Sequence, residues 1–253
     1  MKRLVLKVGS AVLTCDNEIA RARMKNLAEL IATLKNDYEV ILVTSGAIAA
    51  GYSVLKIDKK CPINKKALAA TGQPILMAAY KKEFTVYDLN TAQILVTEDD
   101  FDSKKRTLFF QNIIDILLQN NILPLINEND TISTYEQTFG DNDQLAANVA
   151  CATNSDLLVI LSDVDGYYNK NPKEHDDALI IKTVHKINPQ LLHEESTANH
   201  EFATGGIVTK LKAAEFMLNR NKKMFLCSGF NLESVKSFLL DNNHTLGTLF
   251  EPI

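Results

Sequence analysis

Five short runs of apolar, often β-branched residues limit what this chain can fold into. They are "RLVLKVG" (3–9), "EVILVTSG" (39–46), "TAQILVTED" (91–99), "NILPLINEND" (121–130) and "DLLVILSDVDG" (156–166). Most are apolar almost throughout rather than alternating, the pattern of strands covered on both faces. Helical patterns lie between them. Met24, Leu27, Ala28, Ile31 and Leu34 recur at helical spacing after the first run, and Phe110, Ile113, Ile114, Leu117 and Leu118 do so after the third. Strand–helix alternation of this kind predicts an α/β fold: a mainly parallel sheet with helices on both faces.

The remaining segments extend the alternation. A helical stretch over about 64–87 contains Pro74, which should start a new helix or kink this one. Pro124 argues that the fourth strand begins only there or sits awkwardly in the sheet. "TISTYEQTFG" (131–140) alternates weakly and reads as a small hairpin. Helices are expected from "DNDQLAANVACAT" (141–153), "TKLKAAEFMLNRN" (209–221) and "NLESVKSFLLD" (231–241), and strands from "DDALIIKTV" (176–184), "KMFLCSG" (223–229) and "GTLFEPI" (247–253). The best internal seam lies near Cys151 to Asp156.

Ligands of open α/β sheets gather beyond the carboxyl ends of the strands. Here those ends carry Lys7, Gly9 and Ser10; Thr44, Ser45 and Gly46; Asn127, Glu128, Asn129 and Asp130; and Ser162 with Asp163. The first strand leads into "KVGSAV", so the dinucleotide fingerprint G-x-G-x-x-G is absent. Gly46 and Gly51 have Walker A glycine spacing but no lysine follows, and "EFATGGIVTKLKAAE" (201–215) has a lysine without the preceding glycine. Phosphate chemistry survives without either motif. "TSGAIAAG" and "LKVGS" are strand-to-helix turns through small residues, where backbone N–H groups suit an anion, although a plain tight turn has the same composition. Lys7 in an otherwise apolar strand is costly unless its ammonium meets an anion or snorkels to the surface. "FGDND" places Asp141 and Asp143 around Asn142; one of the three suits a helix N-cap, and the rest suit a metal or a cationic group.

Composition narrows the function further. With 27 basic and 31 acidic residues the net charge is -4 and no long basic run exists, so nucleic acid is not the expected partner. The cysteines Cys15, Cys61, Cys151 and Cys227 are scattered, without zinc spacing, and suit a reducing cytoplasm. None of the five histidines has metal-ligand spacing or a nucleophile beside it. No run approaches the roughly 20 apolar residues that span a bilayer, so no membrane association is expected.

Taken in order, "LVLKVGS", "VTSGAIAAG", "PLINENDTI", "GDNDQLAANVA", "LLVILSDVDGYY", "ATGGIVTKLKAA" and "GTLF" cover almost the whole chain and together resemble the amino acid kinase family. The resemblance is to those members whose acceptor is the side-chain carboxylate of L-glutamate, the first step of proline biosynthesis. It implies an open three-layer α/β/α sandwich, with an acceptor-binding lobe over about 1–152 and an ATP-binding lobe over about 153–253. It implies ATP and Mg²⁺ as cofactors, a homo-oligomer, and feedback inhibition by L-proline. The sequence ends soon after "GTLF", so a form without the family's frequent C-terminal PUA domain is expected. Matching motif to motif, Lys7 and Lys210 are the two phosphate lysines and Asp143 the aspartate that holds them. Ser45, Gly46, Asp130 and Asn142 match acceptor positions. Lys7, Gly9, Ser162, Asp163 and the run Thr204, Gly205, Gly206, Ile207, Val208, Thr209 and Lys210 match nucleotide positions. Ala203, Ile207 and Asn169 depart from the usual family residues, all around the nucleotide pocket. Two alternatives stay open: another acceptor within the family, and a nucleotide sensor without turnover. A nucleotide acceptor would demand arginines, of which there are only Arg3, Arg21, Arg23, Arg106 and Arg220.

Overall fold

A computed structural model of the chain describes residues 1–133, 141–172, 174–193 and 206–253. Its first half contains β1 (Lys2–Val8), α1 (Ser10–Leu13), β2 (Thr14–Cys15), β3 (Glu18–Ile19), α2 (Arg21–Leu34), β4 (Tyr38–Val43), α3 (Ala47–Tyr52), α4 (Pro62–Thr85), β5 (Thr91–Val96), α5 (Lys104–Gln119) and β6 (Leu123–Glu128). Then follow α6 (Asn142–Ala152), β7 (Leu157–Ser162), β8 (Thr183–Val184), α7 (Gln190–His193), α8 (Gly206–Leu218), β9 (Lys223–Ser228), α9 (Glu233–Leu240) and β10 (Thr248–Phe250).

Eight strands form one sheet in the order β5-β6-β4-β1-β7-β9-β10-β8. All neighbours are parallel except β9 and β10. β1 is central: it pairs β4 on one side and β7 on the other, so the sheet runs unbroken across the expected seam. Helices cover both faces, as the alternation predicts. One face buries Leu4, Leu6 and Val8 against Met24, Leu27, Ile31, Leu76, Tyr80 and Val235. The other buries Val5, Ile41 and Val43 against Ile114, Leu145, Val149, Leu211 and Met217. The alternation along β1 decides where Lys7 points. It shares Val5's parity, so it faces the layer that contains α6 and α8.

Several local expectations change. Helix α4 continues through Pro74 as one helix, so no new helix starts there. α4 is pinned by α3: a Cβ on Gly51 would fall 1.9 Å from the Leu68 carbonyl oxygen, and one on Gly72 would fall 1.8 Å from that of Ala47. Backbone contact this close requires glycine on both helices. Pro124 lies inside β6 without losing a ladder bond. Leu123 donates its N–H to Asn90, on the β5 side. Pro124's nitrogen therefore faces β4, where pairing begins only at Leu125. The strand expected over 176–184 shrinks to β8 and a bridge between Tyr168 and Ile180. α5 buries Phe110 and Ile114 but exposes Ile113, together with Leu108, Phe109 and Ile116. Its apolar stripe is wider than the core it covers. The hairpin expected over 131–140 lies mostly outside the described residues. Among those described, no helix is long and apolar enough to cross a membrane.

Candidate active site

The strands β1, β4, β6 and β7 all end on one side of the sheet, and a cavity of about 680 Å³ opens there. It collects Lys7, Gly9, Ser45, Gly46, Asp130, Asn142, Asp143, Ser162, Asp163, Gly206, Thr209 and Lys210. Of the expected site residues, Ile207 and Val208 are not among its lining. Val208 is buried with the apolar core and Ile207 packs against it, because successive helical positions cannot all face one cavity. Thr204 and Gly205 lie outside the described residues.

Asp143 is the centre of the charge arrangement. It is 2% exposed, and Lys7 and Lys210 are each 7% exposed. Lys7 Nζ lies 2.5 Å from Asp143 Oδ1, and Lys210 Nζ 3.1 Å from Oδ2. Thr209 Oγ1 donates to the same Oδ2 at 2.9 Å, and Lys210 also donates to the Gly206 carbonyl at 2.8 Å. Burial alone would push the Asp143 carboxyl up, but Lys7 and Lys210 outweigh it and hold the group below the usual carboxylate range. Three elements far apart in sequence therefore meet at one carboxylate: the end of β1, the first turn of α6 and the second turn of α8. Helix α8, described over Gly206–Leu218, already includes the three residues before the start expected from the sequence, and this puts Lys210 on the helix wall facing Asp143.

The "DND" cluster divides its labour. Asp141 is the N-cap of α6; its Oδ1 accepts from the N–H groups of Asp143 at 2.6 Å and Gln144 at 3.1 Å. Burial and the Asp143 charge push the Asp141 carboxyl up. Asn142 is locked by its amide nitrogen, which donates to the Thr44 carbonyl at 2.6 Å, Ser45 Oγ at 2.8 Å and Asn127 Oδ1 at 2.9 Å. A backbone carbonyl only accepts, so the Asn142 amide cannot be turned round, and its Oδ1 is directed away from these partners. Asn127 is fixed by the same logic: Oδ1 accepts from the Glu128 N–H at 2.9 Å, leaving Nδ2 to donate to Gln73 Oε1 at 3.0 Å. Gln73, on α4 beside the Gly72 contact, is a positioning residue that no sequence motif signals.

On the other flank, burial raises the Asp130 carboxyl, while the Lys66 charge and a backbone N–H hold it down. Lys66 donates to the Asp130 carbonyl at 3.3 Å and to that of Ser133. Gly46 takes φ +100°, so it is the residue that permits the turn from β4 into α3. Ser162 Oγ donates to Asp163 Oδ1 at 2.9 Å at the end of β7. Lys59, which the sequence reading missed, also lines the cavity.

Two lysines braced by one buried carboxylate thus lie beside turns of small residues at the carboxyl ends of parallel strands, in one cavity of an α/β scaffold. The chain belongs to the amino acid kinase family, whose model matches residues 2–228. Among curated relatives, the glutamate 5-kinase of Leishmania donovani is 50% identical, covering 99% of this chain and 95% of the relative. That of Wolinella succinogenes is also 50% identical, over 99% and 98%. Among solved structures, the isopentenyl phosphate kinase of T. acidophilum superposes with a TM-score of 0.68 at 15% identity, covering 98% of this chain and 99% of that one. UMP kinase from Ureaplasma parvum gives 0.66 at 17% identity, over 99% and 98%. At such identities the likeness is one of fold.

Proposed function

We infer that this chain is a glutamate 5-kinase. It transfers the γ-phosphoryl group of ATP to the side-chain carboxylate of L-glutamate, giving L-glutamyl 5-phosphate and ADP, the first step of proline biosynthesis. The observation that carries the mechanism is Asp143 set between Lys7 and Lys210 in a cavity shared with Ser45, Asp130 and Asn142.

The chemistry follows from charge. The acceptor carboxylate, with a reference pKa of about 4.3, is already ionised at neutral pH, so no general base is required. The obstacle is that an anion must approach a polyanion. Phosphoryl transfer of this kind is accelerated mainly by positioning and electrostatic stabilisation. We assign Lys7 and Lys210 to the transferring phosphoryl group, with Asp143 holding both ammonium groups in place. Gly206 and Thr209, which line the cavity from the described part of the run (206–210), take the nucleotide side together with Gly9, Ser162 and Asp163. Ser45, Gly46, Asp130 and Asn142 take the acceptor: the Asp130 carboxylate and Asn142 Oδ1 suit an α-ammonium. The half over about 1–152 thus supplies most of the acceptor side and the half over about 153–253 most of the nucleotide side. Among the described residues no group of three or more His, Cys, Asp or Glu could hold a metal. We propose that Mg²⁺ enters on the ATP phosphates, where it would supply further charge neutralisation.

Trapping tests this reading. Incubated with Mg-ATP, hydroxylamine and L-glutamate, the protein should yield the glutamyl hydroxamate, with ADP in equal amount. N-acetylglutamate should yield little, because it lacks the ammonium. ADP release with UMP, or ATP binding without any product, would contradict it. We further propose a cytoplasmic homo-oligomer inhibited by L-proline. Exposed Leu108, Phe109, Ile113 and Ile116 on α5 are the surface we assign to a second copy. Light scattering of Ile113→Glu should report a smaller particle than wild type, and a proline titration of the initial rate checks the inhibition.

A further inference from the structure

We propose that Lys59 reads the α-carboxylate of the acceptor and so selects a free α-amino acid. The inference rests on the glutamate reading above. That substrate brings three charges into the cavity. The γ-carboxylate meets the phosphoryl group that Lys7 and Lys210 serve, and the α-ammonium has Asp130 and Asn142. The α-carboxylate still needs a cation, because an unpaired charge is costly away from water.

Among the described residues lining the cavity, three are cations: Lys7, Lys210 and Lys59. The first two share the Asp143 carboxylate. Lys59 differs from them: among the described residues no carboxylate lies within ion-pair distance of its ammonium. Neutral groups hold it instead. It donates to Asn17 Oδ1 and sits 3.9 Å from the centroid of the Tyr52 ring. Both supports are firmly placed. Asn17 takes φ +63° at the tip of the β2–β3 hairpin, and Tyr52 ends α3, the helix pinned to α4 through Gly51. An amide oxygen and an aromatic face orient an ammonium without cancelling its charge. Lys56 approaches the same ring at 4.7 Å, outside the cavity lining. Lys59 is thus presented, with no carboxylate partner among the described residues, at the cavity that Ser45 and Gly46 also line.

The test compares L-glutamate with L-isoglutamine, which keeps the γ-carboxylate and α-ammonium but replaces the α-carboxylate by a neutral amide. ADP release by the full chain is measured for wild type, Lys59→Met and Lys59→Arg. Wild type should favour glutamate by about 10- to 100-fold in kcat/KM, the range expected for one charged hydrogen-bonded contact. Lys59→Met should lose most of that preference through a raised KM for glutamate. Its KM for ATP, its rate with isoglutamine and its thermal midpoint should stay unchanged, and Lys59→Arg should restore much of the preference. Equal losses on both acceptors, or an unchanged KM for glutamate, would overturn the assignment. If wild type turns over neither acceptor, the glutamate reading fails, and this inference with it.

Discussion

Replacing Asp143 by Asn keeps the shape of the site and removes the charge at its centre. In the wild type the two ammonium groups lie 2.5 and 3.1 Å from opposite oxygens of one carboxylate, all nearly excluded from water. With Asn in its place they stand roughly 6 Å apart with no counter-charge, a repulsion of about 3 kcal/mol at an effective dielectric of ~20. Breaking a buried ion pair by removing one partner costs about 3–5 kcal/mol, so both routes agree on the scale. At roughly 2–4 °C per kcal/mol for a chain of this size, the melting midpoint of the free protein should fall by on the order of 10 °C. The loss should be partly reversible. A polyphosphate entering the site supplies the missing negative charge, so ATP should raise the midpoint of the variant more than that of the wild type. The pH dependence follows from the sign of the shift. The Asp143 carboxyl is held low in the folded state by the two lysines, against its burial. Its contribution is therefore complete above the unfolded value of about 3.9 and is lost as pH falls through the lower folded value. The gap between wild type and variant should close in that acid range. Calorimetry with and without ATP would provide the check. A variant as stable as wild type at neutral pH, or one gaining no more from ATP, would refute the bracing role.

Other consequences are equally direct. Lys210→Ala should lower kcat by about 10²- to 10³-fold with little change in KM for glutamate, since it removes a contact to developing charge; near-normal kcat would count against the assignment. Asp130 must be ionised to bind an ammonium, and burial raises its carboxyl against the Lys66 charge. KM for glutamate should therefore climb as pH falls toward the carboxylate range, starting above the pH where the acceptor's own carboxylate titrates, and Asp130→Asn should start from a high KM and keep only the acceptor's part of that rise. Gln73→Met should leave Asn127 Nδ2 without its acceptor and loosen Asn142, raising KM for glutamate by roughly 5-fold, about 1 kcal/mol, with KM for ATP unmoved. Combined with Asn142→Ala it should add nothing more, which steady-state kinetics on the double variant would reveal.

Much of this site is legible in the sequence because strand ends are legible. A lysine in a buried strand needs an anion, and period-2 alternation already sends Lys7 to the face that α6 and α8 cover. The cluster at Asp141–Asp143 is readable as more than a cap, since one cap uses only one carboxylate. What stayed hidden depends on distances between elements. No local pattern tells that Gly51 and Gly72 let α3 and α4 touch backbone to backbone, or that this contact sets Gln73 beside Asn127. Lys59 sits in a short polar connection that reads as solvated surface; only the hairpin tip at Asn17 and the ring of Tyr52 turn it toward the cavity. The long strand expected at 176–184 failed because its apolar residues lie at the sheet edge, where Leu179 remains exposed. The stripe on α5 read as core because periodicity records apolar residues, not what covers them.

We propose that a glutamate carboxylate oxygen attacks the γ-phosphorus of ATP in the cavity braced by Asp143. This step is tested most directly with glutamate carrying ¹⁸O in its side-chain carboxylate, using hydroxylamine to release the product's phosphate. The inorganic phosphate released should contain one ¹⁸O atom, seen by its isotope shift in ³¹P NMR, in equal amount to ADP. Unlabelled phosphate would mean that water, not glutamate, is the nucleophile, and would contradict it.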